Sequence, residues 1–176
     1  MKLVHLVKRF FGALWPGRPP AEDLAWVQSA LTPAELALWQ RLPNHDQRHS
    51  IGVARDVWAR LAGTPYADDP RWPAVALLHD VGKLDAGLGV YGRVVATVCG
   101  FVGGRSLAGA WSARRGFTRR VGLYLRHDEL GADMIRMAGG RKEAALWAAA
   151  HHHPEAWPST GLPSAVIDAL DAADND

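Results

Sequence analysis

The sequence predicts an all-α fold, and two observations support that prediction. Apolar residues recur at helical spacing in successive segments, as Leu36, Trp39 and Leu42 do in one of them. No segment shows the alternation of apolar and polar residues that is typical of a half-buried strand, and no internal repeat is present. We therefore expect a helical bundle with an N-terminal helical extension.

Capping residues and prolines define the order of the predicted helices. Thr32 has the character of an N-cap, because Pro33 follows it at the first helical position and Glu35 lies in the first turn. Asn44 or Asp46 can cap the next helix. The remaining predicted helices are a short apolar one that Pro73 opens and that ends at His79-Asp80, and three later ones at residues 128–138, 141–152 and 163–173.

The chain divides into a short N-terminal segment and one domain. Residues 1–20 predict an amphipathic helix and a linker, and residues 21–176 predict a helical domain with a Gly- and Arg-rich insertion at about residues 87–122. In the first segment, Leu3, Val7 and Phe10 fall on one helical face. That helix can contact a membrane surface through residues 1–15, or it can dock on the domain.

Composition excludes several classes of protein. A length of 176 residues suits one domain. The single cysteine, Cys99, excludes a disulfide framework and a thiolate metal site, and it is typical of a reducing cytoplasm, which is the localisation we expect. No apolar run is long enough to span a membrane. A net charge of +2 gives no reason to expect a stable nucleic-acid complex.

The pair His79-Asp80 is the most informative feature of the sequence. It ends the apolar run A-V-A-L-L, so two ionisable side chains are predicted at a buried place. Burial of such groups is costly unless a partner compensates them. A divalent cation is a suitable partner, because imidazole and carboxylate groups are good ligands for such ions.

Further histidines and an aspartate occur at the ends of other predicted helices. They are His49, His127, the run His151-His152-His153 and Asp174. Helix ends of a bundle can converge on one pocket. In the last helix Asp174 lies near the centre of the inward apolar stripe and Asp171 lies toward its edge, so Asp174 is the favoured carboxylate.

These residues, in this order, resemble the motifs of the HD-domain metal-dependent phosphohydrolases over about three-quarters of the chain. The segment L-L-His79-Asp80-V-Gly82-Lys83 is similar to the family signature H-D-I-G-K. The other matching elements are Arg48-His49-Ser50, His127-D-E-L-Gly131-Ala132, A-A-A-His151-His152 and Ala173-Asp174. Ordered elements of this kind are a far stronger signal than one His-Asp dipeptide.

The resemblance implies an HD-domain-like helical bundle that holds metal. It assigns the metal ligands by position: His49, His79, Asp80 and Asp174 for a first ion, with Asp80 bridging to a second ion that His127 and His151 complete. Asp80 and Lys83 would be the catalytic residues, and Lys83 and His152 would face the substrate phosphate. Spacing alone leaves open whether the paired histidines are His151-His152 or His152-His153.

The activity that the resemblance implies is hydrolysis of a phosphomonoester or phosphodiester by a metal-activated water. The expected substrate is a small-molecule phosphate ester, most simply a nucleotide. One or two divalent ions are implied, and a donor set without sulfur does not select among Mn, Fe, Mg, Ni, Co and Zn. Two other interpretations use the same residues: a non-catalytic nucleotide-sensing module, and a di-iron oxygenase on the same HD fold.

Overall fold

The computed structural model describes residues 17–103 and 105–175, and within these residues the regular elements are all helical, which confirms the predicted all-α class. The amphipathic helix predicted at residues 1–15 lies outside the described residues. The helices are, in chain order, α1 (Ala21–Ala30), α2 (Pro33–Trp39), α3 (Asn44–Leu61), α4 (Arg71–Leu78), α5 (Lys83–Ala86), α6 (Val90–Gly103), α7 (Ala108–Ser112), α8 (Gly116–Leu125), α9 (His127–Met137), α10 (Lys142–Ala150), α11 (Trp157–Thr160) and α12 (Ser164–Asn175).

Helix α4 is the centre of the main hydrophobic core. Every residue from Trp72 to Leu78 is buried, so α4 has no polar face. It packs against α3 and α10, while α12 packs against α3 and α9 against α10. The largest fully buried apolar side chains come from several helices and include Trp39, Leu77, Leu78, Ile135 and Leu170. The C-terminal end of α4, where His79 and Asp80 follow, therefore lies inside the bundle.

The helices from α6 to α8 enclose a second, smaller core. Its buried apolar residues are Ala86, Leu88, Ala96, Ala108, Val121, Leu123 and Leu125. Most of these residues fall in the insertion predicted at about residues 87–122. Arg93 of α6 joins this part to α3, because its guanidinium donates to both carboxylate oxygens of buried Asp46 at 2.6 and 2.7 Å.

The start of α2 is as predicted. The Thr32 hydroxyl accepts a hydrogen bond from the backbone N–H of Glu35, and the Glu35 carboxylate accepts one from the backbone N–H of Thr32. This reciprocal pair satisfies two donors that the first turn would otherwise leave without partners.

Two other predicted helix starts are wrong. Pro43, rather than Asn44 or Asp46, is the residue before the first turn of α3, and the Asp46 carboxylate accepts from Arg93 instead. Helix α4 begins at Arg71, two residues before Pro73. Proline fits there because the N–H groups of the first turn have no partner inside the helix in any case.

Two glycines allow the turn after α4 to touch the start of α9. A methyl group on Gly82 would stand 1.9 Å from the backbone oxygen of His127 and 2.5 Å from the backbone nitrogen of Gly131. A Cβ atom on Gly131 would lie 3.0 Å from the backbone nitrogen of Gly82. These neighbours are backbone atoms, which cannot move aside as the end of a flexible side chain can. The close approach brings Asp80 next to His127.

Within the described residues, no single helix is both long and apolar enough to cross a membrane. The segment Arg71–Ala86 and helix α6 meet the length and composition only when they are taken together, and they are bent by 93° at their junction.

We expect Gly82→Ala to lower the free energy of unfolding by about 2–3 kcal/mol, because the added methyl group meets the backbone of α9. Gly52→Ala is the matched control: a Cβ atom at this position of α3 meets nothing within 4 Å. That control should stabilise the protein by about 0.5–1 kcal/mol. Urea-unfolding curves of both variants measure the difference. Wild-type stability in Gly82→Ala would contradict the close approach.

Candidate metal centre

The predicted metal ligands come together from five helix ends or turns. His79 and Asp80 follow α4 directly, His127 is the first residue of α9, and the other members are His49 in α3, His151 and His152 after α10, and Asp174 in the last turn of α12. His79, Asp80, His127 and His151 are buried, with exposed fractions between 1% and 7%. The histidines and carboxylates form two groups, and Asp80 lies between them.

The first group consists of His49, His79 and Asp174. The Asp174 Oδ1 atom lies 3.1 Å from His49 Nε2 and 3.6 Å from His79 Nε2. One donor atom from each residue fits within a 4.8 Å span, which is the spacing of ligands around one ion. Asp174 is therefore placed where the inward stripe of the last helix predicted it.

The second group consists of His127, His151 and His152. The Nε2 atoms of His127 and His152 are 3.2 Å apart, and the rings of His151 and His152 have centroids 4.0 Å apart. Their donor atoms also lie within 4.8 Å of one another. His152, which the resemblance assigned to substrate, is thus close enough to His127 to act as a metal ligand.

Asp80 directs one carboxylate oxygen at each group. Its Oδ2 atom lies 3.2 Å from His79 Nε2 and 3.9 Å from His49 Nε2. Its Oδ1 atom lies 3.4 Å from His127 Nε2 and 3.9 Å from His151 Nε2. A carboxylate in this position can serve both groups at once.

Backbone carbonyl groups orient three of the imidazoles in the same way. In each case Nδ1 lies within hydrogen-bond distance of the carbonyl oxygen three residues earlier: 2.7 Å for His79 and Ala76, 2.7 Å for His127 and Tyr124, and 2.8 Å for His151 and Ala148. A carbonyl oxygen only accepts, so each Nδ1 carries a proton and Nε2 is the nitrogen directed at the site. Metal-ligating histidines are held by such contacts.

Two buried nitrogen atoms support the metal assignment. The Nε2 atoms of His79 and His151 are inaccessible to solvent and have no hydrogen-bond partner among the described residues. A buried polar atom without a partner is costly, and native structures rarely contain one without a reason. A divalent cation would bind both nitrogen atoms, replacing the proton that the neighbouring carboxylates favour on His79, so the residues present fit a metal ion.

Charges inside the site shift the pKa values of its groups in different directions. Burial lowers the pKa of His79, but the carboxylates of Asp80 and Asp174 outweigh burial and raise it to about 10. Burial, reinforced by the neighbouring imidazoles, lowers the pKa of His151 to about 3. Burial also acts to raise the pKa of Asp80, but His79 and Lys83 hold it well below its usual range. Asp80 is therefore ionised in a buried place, which favours a cation beside it.

The structure separates the three consecutive histidines. His153 turns away from the site, and its Nε2 atom lies 2.9 Å from a carboxylate oxygen of buried Asp128. His151, which is buried, and His152, which is exposed, remain as the pair at the site. Sequence reasoning missed the pairing of Asp128 with His153, because the two residues are 25 positions apart in the chain. The position of Asp128 directly after His127 was the only signal that it lies near the site.

Lys83 lies inside the site and forms a buried ion pair with Asp80. Lys83, which we expect to contact the substrate phosphate, is therefore already paired with a carboxylate of the site. Sequence reasoning also missed the ion pair of Arg93 with Asp46, which stands three residues before His49 on α3. The signal for it was a single arginine in the otherwise uncharged helix α6.

Comparison of the chain with protein-family models, with curated proteins and with solved structures finds no match. The metal assignment therefore rests on the geometry. Buried histidine and aspartate groups in this bundle can hold a metal ion.

We expect Asp174→Asn to weaken metal binding by at least about tenfold, because it removes a ligand charge from the first group. Asp171→Asn is the matched control on the same helix: Asp171 is only partly buried and accepts a hydrogen bond from Asn175. Calorimetric titration with Mn²⁺ compares the two variants. Equal affinities would contradict the assignment of Asp174.

Proposed function

We propose that this chain is a metal-dependent phosphohydrolase of the HD-domain type, which hydrolyses a phosphomonoester or phosphodiester, with a nucleotide as the expected substrate. The observation that carries the proposal is the position of Asp80, with one carboxylate oxygen toward each of two histidine groups. The ordered motifs that resemble this family supply the same residues.

The residues divide into two sets of ligands. His49, His79 and Asp174 would hold one ion, His127 and His151 would hold a second, and Asp80 would belong to both sets. When bound, divalent cations lower the pKa of water and offset the negative charge of a phosphate group. His152 would complete the second set or contact the phosphate, because its Nε2 lies beside that of His127.

Lys83 would contribute positive charge for the phosphate. It is the first residue of α5, and its ammonium group is buried against Asp80. A buried ammonium group interacts with a phosphoryl oxygen more strongly than an exposed one does, because less water screens it. Its place at the ligand cluster suits stabilisation of charge on the leaving oxygen.

The side of the site next to His49 is open. A shallow depression of about 420 Å³ borders His49, and the side chains of Arg48, Arg60 and Ala173 help to line it. Asp56 also lines the depression and forms an ion pair with Arg60, so the lining carries charges of both signs, with Arg48 as a second cation. A phosphate ester in this depression would lie next to His49 of the first group of ligands.

The test is turnover of a panel of nucleotides and phosphodiesters in the presence of Mn²⁺. We expect the wild type to release phosphate or a phosphomonoester and Asp80→Asn to lose about a thousandfold in kcat. Lys83→Met should lose about a hundredfold in kcat with its metal retained. Asp85→Asn is the control, because Asp85 is an exposed carboxylate on the same short helix as Lys83.

Three results would contradict the hydrolase. Tight nucleotide binding without turnover would indicate a sensing module. Consumption of O₂ by the ferrous protein with its substrate would indicate an oxygenase. Full activity of Asp80→Asn would show that catalysis does not need the carboxylate charge of Asp80.

A further inference from the structure

Helix α6 has its large apolar residues on the outside and its small residues on the inside. Ala96 is fully buried, and close neighbours limit the space at Gly100 and Gly103: an added Cβ atom would stand 2.7 Å from Leu125 and 3.0 Å from Trp111. The side that packs on the second core therefore consists of small residues. This arrangement reverses the one found in an ordinary surface helix.

The opposite side of α6 forms a continuous apolar surface, which we call the outer face. Its residues and their exposed fractions are Tyr91 (72%), Val94 (46%), Val95 (44%), Val98 (54%), Phe101 (72%) and Val102 (85%). At about 100° per residue they share an arc of roughly 120° centred opposite Ala96. Single exposed apolar residues are ordinary, but a contiguous set marks an interaction site. Each of these side chains keeps between 44% and 85% of its surface exposed.

The stretch of sequence that contains α6 is strongly basic. Residues 86–127 contain seven arginines and no aspartate or glutamate. Arg114, Arg115 and Arg119 are exposed and form no ion pair with any residue that the structure describes. The aromatic ring of Phe117, which is 49% exposed, stands among them at the start of α8.

We propose that the outer face of α6, together with the arginines at the start of α8, binds the surface of an anionic lipid bilayer. The apolar residues would enter the region between headgroups and acyl chains, and the arginines would contact lipid phosphates. The complete lack of acidic residues over this segment argues for a densely anionic surface, because a protein partner would present charges of both signs. The proposal is independent of the proposed hydrolase activity.

Arg93 makes this surface relevant to the metal centre. Its ion pair with Asp46 fixes α6 to the first turns of α3, where His49 also lies. The helix that would carry the bilayer contact is therefore joined by an ion pair to the helix that carries a predicted metal ligand. The depression beside His49 belongs to that same element.

The test is co-sedimentation of the full chain with vesicles of phosphatidylcholine alone or with about one third phosphatidylglycerol. We expect binding to the anionic vesicles only, and a fall in binding of about tenfold when NaCl is raised from about 0.1 to about 0.5 M. Phe101→Ser combined with Val102→Ser should weaken binding by about tenfold or more. Arg115→Glu combined with Arg119→Glu should do the same.

Two matched control variants test whether any change of an exposed residue weakens vesicle binding. Met137→Ser replaces an apolar side chain that is 88% exposed on α9, and Lys142→Glu reverses an exposed charge at the start of α10. Both should bind anionic vesicles as the wild type does. Both lie outside the second core and outside residues 1–15, so they leave the other candidate membrane contacts unchanged.

Other occupants of the outer face give different results, and each would overturn the proposal. Unchanged vesicle binding in Phe101→Ser/Val102→Ser would assign the membrane contact elsewhere in the chain, including residues 1–15. A melting temperature lowered by this double change, with vesicle binding unaltered, would mean that the chain itself covers the face. Concentration-dependent dimers in sedimentation velocity that the double change abolishes, without binding to vesicles, would assign the face to a second copy.

Discussion

The ionised carboxylate of Asp80 is the constraint on which the rest of the site depends. Asp80 is 2% exposed, and transfer of an isolated carboxylate from water to such a place is strongly unfavourable. Its two oxygens face imidazoles from three other parts of the chain, and Lys83 completes the surroundings. The helix ends converge here because each supplies a group that makes the buried charge tolerable. Metal binding would extend the same compensation, since a divalent cation carries two positive charges and offsets the carboxylate charge more strongly than an imidazole can.

Backbone packing at Gly82 determines whether this compensation is available. Asp80 and His127 belong to helices that meet at the contact of Gly82 with Gly131. A larger residue at position 82 would separate the two backbones, and Asp80 would lose a partner without gaining access to water. The glycines in the two motifs thus have a steric role that differs from the chemical role of the histidines beside them. Chemistry and packing are therefore specified by adjacent residues in the segments His79–Lys83 and His127–Ala132.

Local rules predicted much of the fold and of the site, and they failed where distant residues decide the outcome. Helical periodicity was enough to place Asp174 inward, because the stripe of α12 is a property of that helix alone. It could not choose between pairs within the histidine run. There the choice follows from Asp128, which lies on another helix and pairs with His153. The start of α3 was mispredicted for the same reason, since Asp46 accepts from Arg93 of the insertion instead of capping its own helix.

In helix α6 the small residues face the protein and the large apolar residues face outward, which is the opposite of an ordinary surface helix. Both of its sides are apolar, so periodicity cannot tell which side faces the protein. The glycines determine which side faces the protein. Gly100 and Gly103 permit close approach to Leu125 and Trp111. A valine or phenylalanine turned inward would not fit in that space. The large side chains must therefore point outward, although their exposure to water is unfavourable by about 25 cal/mol for each Å² of apolar surface. Polar residues at the same positions would fold equally well and avoid that cost. Six large apolar residues are exposed there instead, in a stretch of sequence with seven arginines and no acidic residue, and the proposed contact with a bilayer would remove their apolar surface from water.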